Sequence, residues 1–207
     1  MRAEKELSNQ DMLIFHGKLY FLVDLSTRKN KIKFNLMLQL LEENFIILLQ
    51  KYNCLKYLKY FTRAFDYDFF SIILVILYLS NAIKNKDMYI ILIGIILIFC
   101  IKLKYKRKRP FENNKFVKKL NERDVDSNSF PSGHAFLSEI LILIIVNNFN
   151  IISTERQFLS FVSYLVAFSR VYLGDHYVTD VIFSIFFAKL YNLVIGSILR
   201  LFFSLAV

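Results

Sequence analysis

The strongest constraint on this chain is a set of long apolar runs that charge scarcely interrupts. Phe69 to Ile83 reads FFSIILVILYLSNAI and Met88 to Ile101 reads MYIILIGIILIFCI, both uncharged. Ala135 to Ile152 follows with one acid, Glu139; Phe158 to Gly174 has one base, Arg170; Val181 to Leu199 has one base, Lys189. Each run falls a little short of the ~20 residues needed to cross a hydrocarbon layer of about 30 Å. Flanking Lys, Arg and Tyr side chains can extend such a run by snorkelling. The alternative, buried helices in a water-soluble core, would leave too little polar chain in 207 residues to cover them. Composition points the same way: 56% of residues are hydrophobic although the net charge is +10. That apolar content excludes a disordered chain, and 5 Gly with 2 Pro exclude a Pro/Gly-rich low-complexity one. Cys54 and Cys100 are too few for a disulfide framework or a zinc set, and each is expected to pack as a small apolar residue.

Backbone amides in lipid must bond within their own segment, and these runs lack the strict alternation of a barrel. The expected fold class is therefore all-α: a polytopic membrane helical bundle of about five to six transmembrane helices plus N-terminal amphipathic helices. Residues 34–66 mix apolar positions at helical spacing with charges, as interfacial helices do. Residues 34–50 could form a sixth span only by burying Glu42 and Glu43, which is costly. Residues 1–33 open with MRAEKELSNQ, which is charged and lacks the apolar stretch of a signal peptide.

The candidate chemistry gathers in three clusters. Lys102 is followed after six residues by Arg109 and Pro110; Pro131, Ser132, Gly133 and His134 stand immediately before an apolar run; Ser169 and Arg170 precede His176 and Asp180. Ser132, Gly133 and His134 sit at a helix start, where unpaired amides and the helix dipole attract an anion. His176 and Asp180 are four apart, hence on one face of a helix beginning there, so that the carboxylate can hold an imidazole N–H. Arg109 and Arg170 can grip phosphate oxygens as forks, and Lys102 adds a point charge. Topology brings the clusters together, because the runs at 135–152 and 158–174 leave one face of the membrane and return to it.

These clusters, K-x6-R-P, P-S-G-H and S-R-x5-H-x3-D, resemble those of the type 2 phosphatidic acid phosphatase or lipid phosphate phosphatase family, relatives of the vanadium haloperoxidases. Every fixed position is present and in order, and the resemblance covers roughly residues 60–200. It implies a membrane-embedded lipid phosphatase domain over 34–207, preceded by a polar or interfacial segment at 1–33. It also implies that His176 is the nucleophile of a phosphohistidine mechanism, that Asp180 orients it, and that His134 is the acid and base. Lys102, Arg109, Ser132, Gly133 and Arg170 would bind phosphate; no metal and no cofactor are implied. SFPSGHA and LGDHYVTDV are most similar to presqualene and polyisoprenoid diphosphate phosphatases, which favours an isoprenoid diphosphate over phosphatidate or a sphingoid-base phosphate. The reading from another class is a non-catalytic membrane scaffold, which lost motif residues would favour; none is lost.

The remaining charged residues have plainer readings. Lys104, Lys106, Arg107 and Lys108 would either attract anionic lipid or form a solvated loop, and no nucleic-acid partner is expected. Glu139 would line a substrate path or pair with Lys189. Asp175 reads as a solvent contact at a helix end, and His16 as structural or exposed. The expected setting is a multi-pass protein of the endoplasmic reticulum or plasma membrane. Residues 102–124 hold ten Lys or Arg against three acids, which favours a cytoplasm-facing site even after Lys102 and Arg109 are discounted. Cysteines introduced at positions 113–120 should therefore resist an impermeant external or lumenal reagent in intact membranes; selective labelling from that side would reverse the orientation.

Overall fold

The structure, a computed structural model, describes residues 12–15, 18–21, 28–52, 55, 57–121, 128–149 and 151–205. His16 and Cys54 lie outside them. The chain divides into two compact units, Met1–Phe45 and Ile46–Val207. In the first, β1 (Met12–Phe15) pairs antiparallel with β2 (Lys18–Phe21), Met12 opposite Phe21. Helix α1 (Arg28–Leu49) begins in this unit, earlier than the expected residue 34, because the Lys- and Asn-containing stretch before it holds no Pro or Gly to stop a helix. Inside α1, Gln39 Nε2 donates to Glu43 Oε1 at 2.9 Å, an i to i+4 pair.

Among its described residues helix is the only regular secondary structure of the second unit, and the fold class is all-α, with the hairpin as the exception in the first unit. After α2 (Leu58–Thr62) and a 3₁₀ turn (Arg63–Phe65) come α3 (Tyr67–Leu79), α4 (Asn85–Lys104), a single turn α5 (Pro110–Asn113), α6 (Gly133–Asn148), α7 (Ser153–Tyr172), α8 (Val178–Tyr191), a π turn (Asn192–Gly196) and α9 (Ser197–Leu205). The apolar runs fall on α3, α4, α6, α7 and the continuous α8–α9. Their starts are chemically marked. Asp87 accepts from the Lys84 amide at 2.9 Å, Ser132 caps α6, and Asp180 accepts from the Tyr177 amide at 2.9 Å, each satisfying an amide that the helix leaves open.

Helix α6 is the centre of the unit, since every residue from Ala135 to Ile142 is buried. Its one side joins Phe70, Leu74, Ile90, Ile98, Ala188 and Tyr191 in a core between α3, α4 and α8. Its Ala135 joins a second core with Ile46, Val117, Ala167, Val171 and Val181. A helix segment apolar on nearly every side must be surrounded, and α6 is so from Ala135 to Ile142. Its neighbours are apolar outside as well: Ile72 and Ile76 on α3, Leu92 and Ile96 on α4, Phe158 and Phe161 on α7, and Ile182 and Phe186 on α8 are all exposed.

By length and hydropathy, Val178–Leu205 is the single helix among the described residues that is long and apolar enough to cross a membrane; Asp68–Leu79 and Gly133–Asn148 are apolar but shorter. Five to six spans were expected. The difference has a physical source: α3 and α6 are only 13 and 16 residues long, and α4 and α7 carry charges at their ends, at Lys86, Asp87 and Lys102 and at Glu155, Arg156 and Arg170.

Candidate active site

The three sequence clusters meet where α6 begins. Ser132 caps that helix, its Oγ accepting from the Ala135 amide at 3.4 Å, while its own amide donates to Ser184 Oγ at 2.8 Å. Ser184 donates in turn to the Asp180 carbonyl at 2.7 Å, so the turn before α6 is stitched to the start of α8. Gly133 is buried at the first helical position.

Three cations from three different elements are buried around this point. Arg170, in the last turn of α7, is 2% exposed, and its Nη2 donates to Asp175 Oδ2 at 2.5 Å. Its Nε is buried without a hydrogen-bond partner. Arg109, 3% exposed, donates from Nη1 to the Asp175 carbonyl at 2.9 Å. Lys102, 6% exposed at the end of α4, donates from Nζ to the Asn128 carbonyl at 3.3 Å. Leaving a buried donor such as Arg170 Nε without a partner is costly, so this group of buried cations is suited to receive an anion.

The two motif histidines have different settings. His134 Nε2 lies 2.8 Å from Asp66 Oδ1, a carboxylate from the turn before α3. His176 is buried in the turn between α7 and α8, its Nδ1 3.8 Å from Asp180 Oδ2 and without a hydrogen-bond partner. That distance exceeds a hydrogen bond. Catalytic pairs are often long until substrate closes them. Asp180 is meanwhile held by Arg107 Nη1 at 2.5 Å, by the Tyr177 amide at 2.9 Å and by Ser129 Oγ. Burial above all, and then the positive charges of Arg109 and Lys102, hold the His176 imidazole well below the ordinary histidine pKa, against the opposing pull of Asp180.

Residues 69–200 match the PAP2 superfamily. The chain belongs to that superfamily. Its members are phosphatases, typically membrane proteins, that act on phosphorylated lipids. No solved structure matches the chain.

Several residues around this PAP2 site were not legible as site residues. Asp175 corrects the sequence reading: it is fully buried, ion-paired to Arg170 and bonded by Asn121 Nδ2 at 3.0 Å, because a guanidinium in an apolar bundle requires a carboxylate beside it. Arg107, read as part of a basic loop, instead crosses to Asp180 and to Thr179 Oγ1 at 2.8 Å, with its guanidinium 3.9 Å over the Tyr177 ring. Ser129 carried no signal. Asp66 stands just before α3, makes no side-chain cap hydrogen bond there, and precedes the matched region. Glu139 takes the paired alternative, its Oε1 3.7 Å from Lys189 Nζ, and Cys100 is exposed on α4.

The turn carrying His176 depends on Gly174. Its φ of +81° belongs to the left-handed region, and a Cβ there would stand 2.7 Å from the Lys118 carbonyl. Gln50 clamps the same place, its Nε2 donating to the Lys118 and Tyr172 carbonyls at 2.8 and 3.0 Å. Gly174→Ala should therefore lose about 1–3 kcal/mol of stability, read as a lower melting midpoint in detergent, and should lose phosphatase activity with it. An unchanged midpoint would show that this turn tolerates a side chain.

Proposed function

We propose that this PAP2 protein is an integral, multi-pass membrane phosphatase that hydrolyses a lipid phosphate or diphosphate through a phosphohistidine, without a metal. The observation that carries this reading is the meeting of His134, His176 and the buried cations Lys102, Arg109 and Arg170 at one helix start. The apolar outer faces of α3, α4, α7 and α8 support the bilayer setting, since a soluble protein rarely exposes so much contiguous apolar surface.

In this mechanism Lys102, Arg109, Arg170, Ser132 and the Gly133 amide hold the phosphoryl oxygens and stabilise the charge of the transition state. Asp180 accepts a hydrogen bond from His176 Nδ1 as the substrate closes the site, leaving the Nε2 lone pair to attack phosphorus. The N–P bond forms as the P–O bond to the lipid breaks, and His134 gives its proton to the departing oxygen. His134 then removes a proton from water, whose oxygen attacks phosphorus and returns Nε2 to the neutral ring. Asp66 holds His134 in orientation for both transfers. An isoprenoid diphosphate is the favoured substrate, on the likeness of SFPSGHA and LGDHYVTDV, and the basic segment at 102–124 favours a site facing the cytoplasm.

Phosphate release from lipid phosphates in detergent should survive EDTA and vanish in His176→Ala; activity abolished by the chelator alone would remove the metal-free mechanism. Farnesyl and presqualene diphosphates should outpace phosphatidate and a sphingoid phosphate in the same assay. Equal turnover of all four would discard the isoprenoid preference. Because a depressed pKa leaves imidazole neutral and nucleophilic in mild acid, the acid limb of kcat/KM should lie below pH 6.5. A limb above that value would exclude His176 as its source. Asp66→Asn should slow the release of a lipid alcohol by about 10²-fold or more. Its kcat/KM for p-nitrophenyl phosphate, set by a first step whose leaving group needs no proton, should barely change; equal loss of kcat/KM on both esters would reduce Asp66 to a structural role.

A further inference from the structure

An apolar cleft of about 390 Å³ lies between α4 and α6, within the range of about 300–1,000 Å³ of small-molecule sites. Its walls are Ile95, Ile98, Phe136 and Leu137, the last three of them buried. Its open side is bounded by Ile96 and Phe99, 55% and 58% exposed on the outer face of α4. Its remaining lining residues are Lys102 and Gly133, both members of the proposed phosphate cradle.

The helical register explains this alignment. Ile95, Ile98, Phe99 and Lys102 recur at three- and four-residue steps along one face of α4, and Gly133, Phe136 and Leu137 do the same on α6. The cleft thus runs about 10 Å along α4, from Ile95 to Lys102, with ammonium and helix-start amides at one end and hydrocarbon along the rest. We infer that this cleft is the binding site for the hydrocarbon chain of the substrate, which enters sideways between Ile96 and Phe99 while its phosphate meets Lys102 and Gly133. The inference rests on the phosphatase reading and adds to it a route, a direction and residues that limit chain shape.

A second cleft competes for the role. It measures about 590 Å³ and is lined by Ile101, Tyr105, Phe130 and Phe183 with Lys106 and Arg107. None of the proposed phosphate-binding residues lines it, so a chain lying there would not be continuous with the cradle.

The test compares Ile96→Trp and Phe99→Trp with Phe183→Trp, using a fifteen-carbon prenyl phosphate and water-soluble butyl phosphate. Tryptophan at 96 or 99 should lower kcat/KM for the prenyl ester about tenfold, the loss expected when about two methylene groups lose their burial, and change butyl phosphate less than about twofold. Phe183→Trp should leave both unchanged. Equal effects on both esters, or a chain-selective loss at Phe183 alone, overturn the assignment. Photolabelling keeps the inference testable if the wild-type protein hydrolyses neither ester, the outcome that would sink the phosphatase reading alone. A prenyl phosphonate with a diazirine near its tail should label residues 95–99 and 136–137, and unlabelled phosphonate should suppress that labelling. Labelling spread over all lipid-facing helices and indifferent to competitor would mean that bulk lipid covers the cleft.

Discussion

A guanidinium in an apolar bundle has to be met by something, and in this protein the partner is chosen before any substrate arrives. Arg170 is tied to the Asp175 carboxylate, and the carbonyl of the same residue receives Arg109. One residue of one turn thereby holds two of the buried cations, one from the last turn of α7 and one from the extended residue before α5. Removing a single partner from such a pair typically costs about 3–5 kcal/mol, because the survivor is stranded in low dielectric. The geometry of the site is in this sense a by-product of charge compensation. Asp175 keeps the cations tolerable, and its next neighbour, His176, is carried into place by the same turn.

The second carboxylate works in a complementary way. Asp180 caps the start of α8 through the Tyr177 amide, receives Arg107 and Ser129, and through its carbonyl reaches Ser184 and so the turn before α6. Cap, ion pair and inter-helix tie converge on one residue, which makes the start of α8 rigid where α6 also starts. Helix α6, buried all round, cannot shift without disturbing two cores. The two helix starts are fixed relative to each other by packing as well as by polar bonds.

The parts of this architecture that were legible in the sequence are those governed by local rules. Apolar runs foretold α3, α4, α6, α7 and α8–α9, whereas the helix face expected to carry both His176 and Asp180 carries only Asp180: His176 stands in the turn before α8, its Nδ1 3.8 Å from the carboxylate. The parts that escaped depend on contacts between distant segments. Nothing near Arg107 announces a partner at 180, and nothing near Asp175 distinguishes an acid that faces solvent from one that faces Arg170. Asp66 escaped for the same reason, since His134, which it touches, lies 68 residues further along the chain. The number of crossings was the least legible, because run length alone does not say how charged helix ends are accommodated.

Gln50 and Asp66 both lie upstream of residue 69, where the superfamily match begins. One braces the loop and turn behind His176, and the other touches His134. A fragment cut at the matched boundaries would retain all three signature clusters yet lack two side chains that hold the histidine-bearing elements. The smallest self-sufficient piece of this protein is therefore larger than its diagnostic motifs, and truncation limits for expression belong ahead of Gln50.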